Sequence, residues 1–173
     1  MAEANEEIRA RLISFLPRLR RFCHGLTGSR EQGDDLLQST VERALSRIDR
    51  WQPGTSLENW ILKLASNLHI DIIRAEKVRG VSVEIESAYD VCGEDEVARL
   101  EFRSEIDAVN SAIAAMSPEL RQVLTAVVID GRTYKEAAEL FDIPIGTVMS
   151  RVARARSFVG RYVDRSPREG VAA

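Results

Sequence analysis

The chain has 173 residues with 24 basic and 27 acidic side chains, a formal net charge of -3, and 45% hydrophobic content. These proportions are typical of a globular protein, and no apolar run approaches the roughly 20 residues that a membrane-spanning helix requires. The two cysteines match no metal-ligand spacing, and the acidic, polar N-terminus does not resemble a signal peptide. We therefore expect a cytoplasmic protein with no membrane span, in which both thiols stay reduced.

The first 79 residues predict three helices. The segment "EEIRARLISFLPRLRRFCHGLTG" has helical apolar spacing, and Pro17 is expected to kink or break it. We expect Cys23 to be a small core residue. The segment "EQGDDLLQSTVERALSRIDRW" predicts a second helix, and Ser56 is the expected cap of a third, "SLENWILKLASNLHIDIIRAEK". The apolar stripe predicted for the second helix consists of Leu37, Val41, Ala44, Leu45 and Ile48, and that of the third consists of Leu57, Trp60, Ile61, Leu64, Leu68 and Ile72.

The acidity of the chain is concentrated in its middle. Residues 80–105 contain two basic and eight acidic side chains, whereas the segments before and after it carry net charges of +2 and +1. The segment 80–93 has no clear helical period, although "VSVEI" favours a short extended piece, and a helix is predicted from near Glu94 towards Met116. This pattern predicts two modules, residues 1–79 and 106–173, joined by a flexible acidic linker.

The last module carries the pattern of a helix-turn-helix. Ser117 and Pro118 mark a helix start. Further on, "TYKE" has the spacing of a capping box and begins a short helix through Phe141. The next helix is expected to turn Val148, Val152, Ala155 and Val159 inward. Asp142 stands in the turn between the two helices, where a left-handed residue is needed and Asp is tolerated after glycine.

The outward face of the last helix suits a DNA groove. Thr147, Ser150, Arg151 and Arg154 lie opposite the apolar stripe, and no acidic residue occurs from Ile143 to Val163. Arginine contacts guanine with two hydrogen bonds, and serine and threonine contact bases or phosphates. The motif thus indicates major-groove binding, although an arginine-rich face alone is more often simply solvated.

A second candidate nucleic-acid surface lies in the first module. Lys63, Asn67, Arg74 and Lys77 share one stripe of the third helix, opposite Leu64 and Leu68. Trp51 lies in the preceding loop, and an aromatic side chain beside a basic stripe suits unstacked single-stranded bases. Trp51 is equally compatible with a core position, whereas Trp60 is expected to be a core anchor.

These segments together resemble a bacterial sigma factor of the small, two-domain, extracytoplasmic-function type. The resemblance rests on "PRLRRFCHGLTGSREQGDDLLQSTVERAL", "NWILKLASNLHIDIIR" and "GRTYKEAAELFDIPIGTVMSRVARARSFV", which occur in the order of that family over nearly the whole chain. It implies an all-α fold of two small helical domains. The first would bind the clamp helices of RNA polymerase and melt the minus-10 promoter element, and the second would bind the minus-35 element and the polymerase flap.

The resemblance also implies roles for individual residues. The polymerase-binding face would consist of Asp34, Asp35, Gln38 and Glu42. The minus-10 contacts would be Trp51, Lys63, Asn67, Asp71, Arg74 and Lys77, and the minus-35 contacts would be Lys135, Thr147, Ser150, Arg151, Arg154 and Arg156. The partners would be RNA polymerase core, promoter DNA and an anti-sigma factor, and no cofactor or metal is expected.

Other classes of protein explain less of the sequence. It contains no glycine-rich phosphate loop, metal-ligand cluster or nucleophile arrangement, so an enzyme is not expected. A sigma-like module that sequesters an anti-sigma factor should lose the basic residues of the last helix, but three of its arginines remain. An ordinary helix-turn-helix repressor would leave the stripe from Asn67 to Lys77 unexplained.

Overall fold

In a computed structural model, residues 2–80 and 96–165 are described, and these ranges contain seven α-helices and no strand. The helices are α1 (Ala2–Thr27), α2 (Arg30–Ser46), α3 (Leu57–Arg79), α4 (Glu96–Ala115), α5 (Pro118–Leu124), α6 (Tyr134–Phe141) and α7 (Ile145–Arg165). A 3-10 turn, Ile48–Arg50, follows α2, and a π-helical segment, Thr125–Ile129, follows α5. The all-α prediction is confirmed, whereas the predicted extended piece "VSVEI" lies outside the described residues.

Serine side chains cap two of the helices, and the cap at Ser56 was predicted. The Ser29 and Ser56 hydroxyls accept hydrogen bonds from the main-chain N–H groups of Gln32 and Asn59, which caps α2 and α3. The start of α5 is also confirmed, with Pro118 at its first position, although the Ser117 side chain makes no capping bond. Of the two alternatives expected at Pro17, a kink or a break, the break is wrong, because α1 continues through Pro17 as one helix.

The N-terminal half is a bundle of α1, α2 and α3. Its core includes Leu19, Phe22, Leu26 and Leu62, none of which has any exposed surface. Cys23 is also fully buried, as predicted, and burial raises the pKa of its thiol to about 12. Such a thiol stays protonated and unreactive near neutral pH.

The predicted apolar stripe of α2 was partly wrong. The side chains that α2 buries include Leu36, Thr40 and Ala44, whereas Leu45 is 46% exposed. Thr40 can lie in the core because its hydroxyl donates a 2.7 Å hydrogen bond to the Leu36 carbonyl of its own helix. At the far end of α3, Ile72 is also exposed rather than buried.

The C-terminal half packs α5, α6 and α7 around a smaller core, with α4 lying along α7. The inward set of α7 is confirmed for Val148, Val152 and Ala155, which are almost fully buried. The two halves touch through α1 and the π-helical segment, and α3 also contacts α5 and α6. Among the described helices, none is long and apolar enough to cross a membrane.

Candidate nucleic-acid interface

The helix-turn-helix is built around one left-handed residue. Asp142 ends α6 with φ 55° and ψ 51°, as predicted, and its main-chain N–H donates to the Ala138 carbonyl. The capping box that begins α6 is also present, since the Thr133 hydroxyl accepts from the Glu136 N–H and the Glu136 carboxylate accepts from the Thr133 N–H. The capping box at the start of α6 and the left-handed residue at its end together fix the length of α6 and the direction in which the chain enters α7.

Small side chains allow the two helices of the motif to approach closely. Ala137 of α6 is fully buried, and it belongs to the same core cluster as Val148 and Val152 of α7. Burying the apolar stripe of α7 in this way fixes its opposite face outward. The rotation of α7 about its own axis is therefore set by packing rather than by its charged residues.

The candidate minus-35 residues lie on or beside that outward face. Lys135, Ser150, Arg154 and Arg156 are exposed, and Thr147 and Arg151 are half-buried. The Ser150 hydroxyl donates to the Thr147 carbonyl, and Arg154 Nε donates to the Ser150 carbonyl at 3.4 Å. Within the described ranges no acidic side chain forms a salt bridge with Arg151, Arg154, Arg156 or Arg161. Their charge is therefore available to an anion.

The candidate minus-10 residues form an exposed stripe along α3. All five side chains of that stripe face solvent, namely Lys63, Asn67, Asp71, Arg74 and Lys77. Unlike the residues of this stripe, Trp51 does not have a freely exposed side chain. It is half-buried against the core, the Arg11 guanidinium lies 5.9 Å from its ring centre, and its indole N–H is buried without a partner. One side of the ring is thus already occupied by a cation.

The candidate polymerase-binding residues of α2 do not form one uniform face. Asp35, Gln38 and Glu42 are exposed, and Gln38 Nε2 donates to the Glu42 carboxylate at 3.0 Å. Asp34 is half-buried, and its carboxylate accepts two 2.8 Å hydrogen bonds from Arg20 and contacts His24 Nε2 at 2.8 Å. These contacts, first Arg20 and then His24, hold the pKa of Asp34 far below its ordinary value. Its charge is therefore largely balanced within the chain.

A buried arginine that no sequence pattern had indicated lies between the two halves. Arg121 of α5 is 6% exposed and donates hydrogen bonds to the main-chain carbonyls of Leu26, Ala114 and Met116. Its guanidinium also lies 3.4 Å from His69 Nε2. Burial lowers the pKa of Arg121 to about 10, and burial together with the Arg121 charge lowers that of His69 to about 4. His69 is therefore neutral at pH 7.

A cleft of about 710 Å³ lies beside this arginine. Its walls come from the ends of α1 and α4 and from α2, α3 and α5, and they mix apolar and charged side chains, including Leu36, Ile73, Asp35 and Lys77. In the part of the chain that the structure describes, no group of three or more His, Cys, Asp or Glu side chains could hold a metal ion.

Comparison with known proteins gives matches over both halves. Residues 106–159 match the family model described as "Sigma-70, region 4", and residues 12–65 match "Sigma2 domain of PhyR". The chain is 31% identical over 162 residues to the ECF RNA polymerase sigma factor EcfG of Rhodopseudomonas palustris (strain TIE-1), covering 92% of this chain and 87% of the relative. It is 27% identical to the ECF RNA polymerase sigma factor SigE of Mycolicibacterium smegmatis, covering 88% of this chain and 60% of that relative.

A solved structure has the same fold. The sigma factor RpoE from Bartonella quintana, solved in complex with the anti-sigma factor NepR, aligns with a TM-score of 0.72 at 22% identity. The alignment covers 92% of this chain and 98% of that one.

Proposed function

Because the chain belongs to the extracytoplasmic-function (ECF) family of RNA polymerase sigma factors, we propose that its two halves bind different promoter elements. A sigma factor is a transcription regulator that directs RNA polymerase to promoters. The proposal rests on one observation about α7. Packing of its apolar stripe turns the opposite face outward, and that face bears arginines and no acidic residue. The helix lies largely within the region matched by "Sigma-70, region 4". As a specificity subunit, the chain has no catalytic role of its own.

The N-terminal half, residues 1–79, binds polymerase core and the minus-10 element. Asp35, Gln38 and Glu42 of α2 offer an exposed acidic and polar surface, which complements a basic surface on polymerase. Asp34 lies beside this surface but adds little unbalanced negative charge to it, since Arg20 and His24 already bind its carboxylate.

The exposed stripe of α3 contacts the melted minus-10 strand. Lys63, Arg74 and Lys77 attract the phosphates, and Asn67 offers both a donor and an acceptor to an unpaired base. Asp71 repels phosphate and therefore favours a position facing a base donor. Trp51 has one ring side occupied by Arg11, so it can stack a base only on its other side or after Arg11 moves away.

The C-terminal half, residues 106–173, binds the minus-35 element through α7. Arg151 and Arg154 are the candidate base readers, because a guanidinium can form two hydrogen bonds with guanine. Ser150 is directed to its own helix by its bond to Thr147, which suits a phosphate or water-mediated contact better than a direct base contact. Lys135 and Arg156 are placed to contact phosphates, and residues 80–105 join the two halves.

An anti-sigma factor is the third proposed partner, besides polymerase core and promoter DNA. This proposal is supported by the fold shared with RpoE from Bartonella quintana, which was solved bound to an anti-sigma factor. Its site on this chain would include the cleft beside Arg121, which both halves line. The function places the protein in the cytoplasm, where polymerase acts.

The test is transcription by purified core polymerase over a genomic fragment library, with and without this protein. New, discrete start sites that share two upstream elements are expected. Arg151→Ala should weaken use of these promoters by about 1–3 kcal/mol, roughly 5- to 150-fold, as for loss of one bidentate base contact. Arg161→Ala, which removes an exposed arginine of α7 outside the proposed set, is the matched control. Equal promoter use by Arg151→Ala and the parent would remove Arg151 from the base readers.

The alternative is a sigma-like module that sequesters an anti-sigma factor, and one observation favours it. The N-terminal match is to the "Sigma2 domain of PhyR", and PhyR from Bartonella quintana is an anti-anti-sigma factor. The retained arginines of α7 favour DNA binding instead. No new start sites and no core binding in the transcription assay would support the sequestering module.

A further inference from the structure

An exposed methionine lies on the proposed DNA-binding helix among polar and charged side chains. Met149, the fifth residue of α7, is 53% exposed, and its neighbours in the chain are the buried Val148 and the exposed Ser150. Successive residues of an α-helix are about 100° apart around its axis, so Met149, Ser150 and Arg151 together span the outward face. Met149 and Arg151 therefore lie at opposite edges of that face, with Ser150 at its centre.

The fold of the chain does not account for the exposure of Met149. One turn earlier in α7, Ile145 is 49% exposed, so two apolar side chains lie next to each other in contact with solvent. Burial of an apolar side chain stabilises a fold in proportion to the area removed from water, and about half of the Met149 surface stays in water. A binding partner outside the chain therefore explains this pair of side chains better than the core does.

The centre of the outward face consists of small side chains. Gly146, Ser150, Ala153 and Ser157 recur at intervals of four, three and four residues, and all are exposed. A Cβ built on Gly146 meets no atom within 4 Å, and the φ of Gly146 is not positive, so neither packing nor backbone conformation requires glycine there. Such a strip lets the helix approach the floor of the major groove, which is about 12 Å wide and about 8.5 Å deep. The longer side chains at the two edges of the face then reach the base edges.

A methionine in the major groove distinguishes the bases by the polar bonds that it cannot make. Its thioether donates no hydrogen bond and is only a weak acceptor, whereas guanine, adenine and cytosine present polar groups that need partners when water is excluded. Thymine adds an apolar C5-methyl group to the major-groove edge. Because methionine is flexible and polarisable, its side chain can adjust to the position of that methyl group.

We propose that Met149 is a specificity-determining residue of the minus-35 interface, which selects a thymine by packing its side chain against the C5-methyl group. The inference rests on the proposed function, in which α7 enters the major groove. In helix-turn-helix proteins the N-terminal residues of the recognition helix contact the base edges, and Met149 lies in the second turn of α7. Since Arg151 lies at the opposite edge of the outward face, the two side chains are directed to different base pairs.

The test removes the methyl group from the DNA and the thioether from the protein, separately and together. The full chain bound to core polymerase is titrated with a promoter found in the transcription assay, and each thymine of the minus-35 element, on either strand, is replaced singly by deoxyuridine. Deoxyuridine lacks only the C5-methyl group and keeps the same base pairing. The parent should bind one of these substituted promoters about fourfold more weakly, which corresponds to about 0.8 kcal/mol for one methyl-sized group.

The protein variant of this cycle is Met149→Ala, which keeps a good helix former at an exposed position. The deoxyuridine substitution that weakens binding by the parent should have no effect on this variant, because the side chain that contacts the methyl group is gone. Val128→Ala, at an apolar position that is 56% exposed and lies outside α7, is the matched control and should keep the full deoxyuridine effect. Met149→Gln, of similar length, should change the preference at this position from thymine to adenine, since glutamine can form two hydrogen bonds with adenine.

Three outcomes would overturn this role of Met149. They are no thymine at which the parent distinguishes deoxyuridine, an equal deoxyuridine effect in the parent and in Met149→Ala, or weaker binding by Met149→Ala to every sequence alike. The last result would assign Met149 to a contact with polymerase or with the DNA backbone. Failure of the proposed function gives a different pattern, because the parent, Met149→Ala and Val128→Ala would all fail to start transcription with core polymerase. The role of Met149 would then be overturned together with the function.

Discussion

The substitution Arg121→Met should destabilise the folded chain by about 3 kcal/mol. The variant removes the three hydrogen bonds that Arg121 donates to main-chain carbonyls, those of Leu26, Ala114 and Met116. At roughly 2 kcal/mol for each lost bond to a charged donor, the gross cost is about 6 kcal/mol. Methionine is chosen because it has a similar length and suits an apolar site.

Removing the charge also removes the cost of burying it. Burial lowers the pKa of Arg121 from 12.5 to about 10. At about 1.4 kcal/mol for each tenfold change in the proton equilibrium, this corresponds to roughly 3 kcal/mol of desolvation that methionine does not incur. The difference between the two terms leaves the net loss of about 3 kcal/mol.

Urea unfolding, followed by circular dichroism, measures this loss. With a slope of roughly 2 kcal/mol per molar urea, the midpoint should fall by about 1.5 M. Arg21→Met, at an exposed position of the same charge, should leave the midpoint unchanged. A fall of less than about 0.5 M would show that the three carbonyls find other partners, and would refute the reasoning. In the folded variant, the pKa of His69 should rise from about 4 but stay below 6.5, because burial is the larger cause of its lowering.

Three further predictions address other parts of the molecule. Asp142→Ala should cost about 1 kcal/mol of unfolding free energy, because the left-handed backbone strains alanine, whereas Asp142→Gly should be neutral or stabilising; equal losses would contradict this. His69 has a folded pKa of about 4 against an ordinary 6.5. The free energy of unfolding should therefore fall by up to about 3 kcal/mol as the pH drops from 6.5 to about 4. Calorimetry should show that His69→Gln lacks this pH-dependent loss. Asp35→Arg should lower affinity for core polymerase with unchanged thermal unfolding, and Asp49→Arg, outside α2, serves as its control.

The sequence was most informative where local chemistry has few solutions. Thr133 and Glu136 have the spacing of a capping box, and the tight turn of a helix-turn-helix favours a left-handed residue, so α6 and Asp142 could be predicted together. The apolar period of α7 likewise predicted which residues pack inward. In each case a residue type determines a backbone conformation or a face without reference to distant parts of the chain.

Other features depend on partners distant in sequence. In α2, hydrophobicity alone predicted Leu45 inside and ignored Thr40, because a hydroxyl that bonds its own helix looks polar in sequence. Arg121 resembles a surface arginine, and its partners are main-chain carbonyls, which any residue possesses. Asp34 was expected on an exposed acidic face, and its pairing with Arg20 was not foreseen because Arg20 lies on another helix. Such contacts become visible only when the packing of the helices is known.

The number of residues in the π-helical segment determines how the chain before it is oriented relative to the chain after it. The Asp130 N–H donates to the Thr125 carbonyl, five residues back, at 2.9 Å, so this turn holds one residue more than an α-helical turn. Deleting one residue would let α5 continue as ordinary helix and would rotate the chain beyond it by about 100°. Asp130 would then turn away from Arg18, which contacts its carboxylate at 2.6 Å, and the packing of α5 against α7 would also change. The extra residue of this π-helical turn therefore sets how α5 is oriented relative to both α1 and α7.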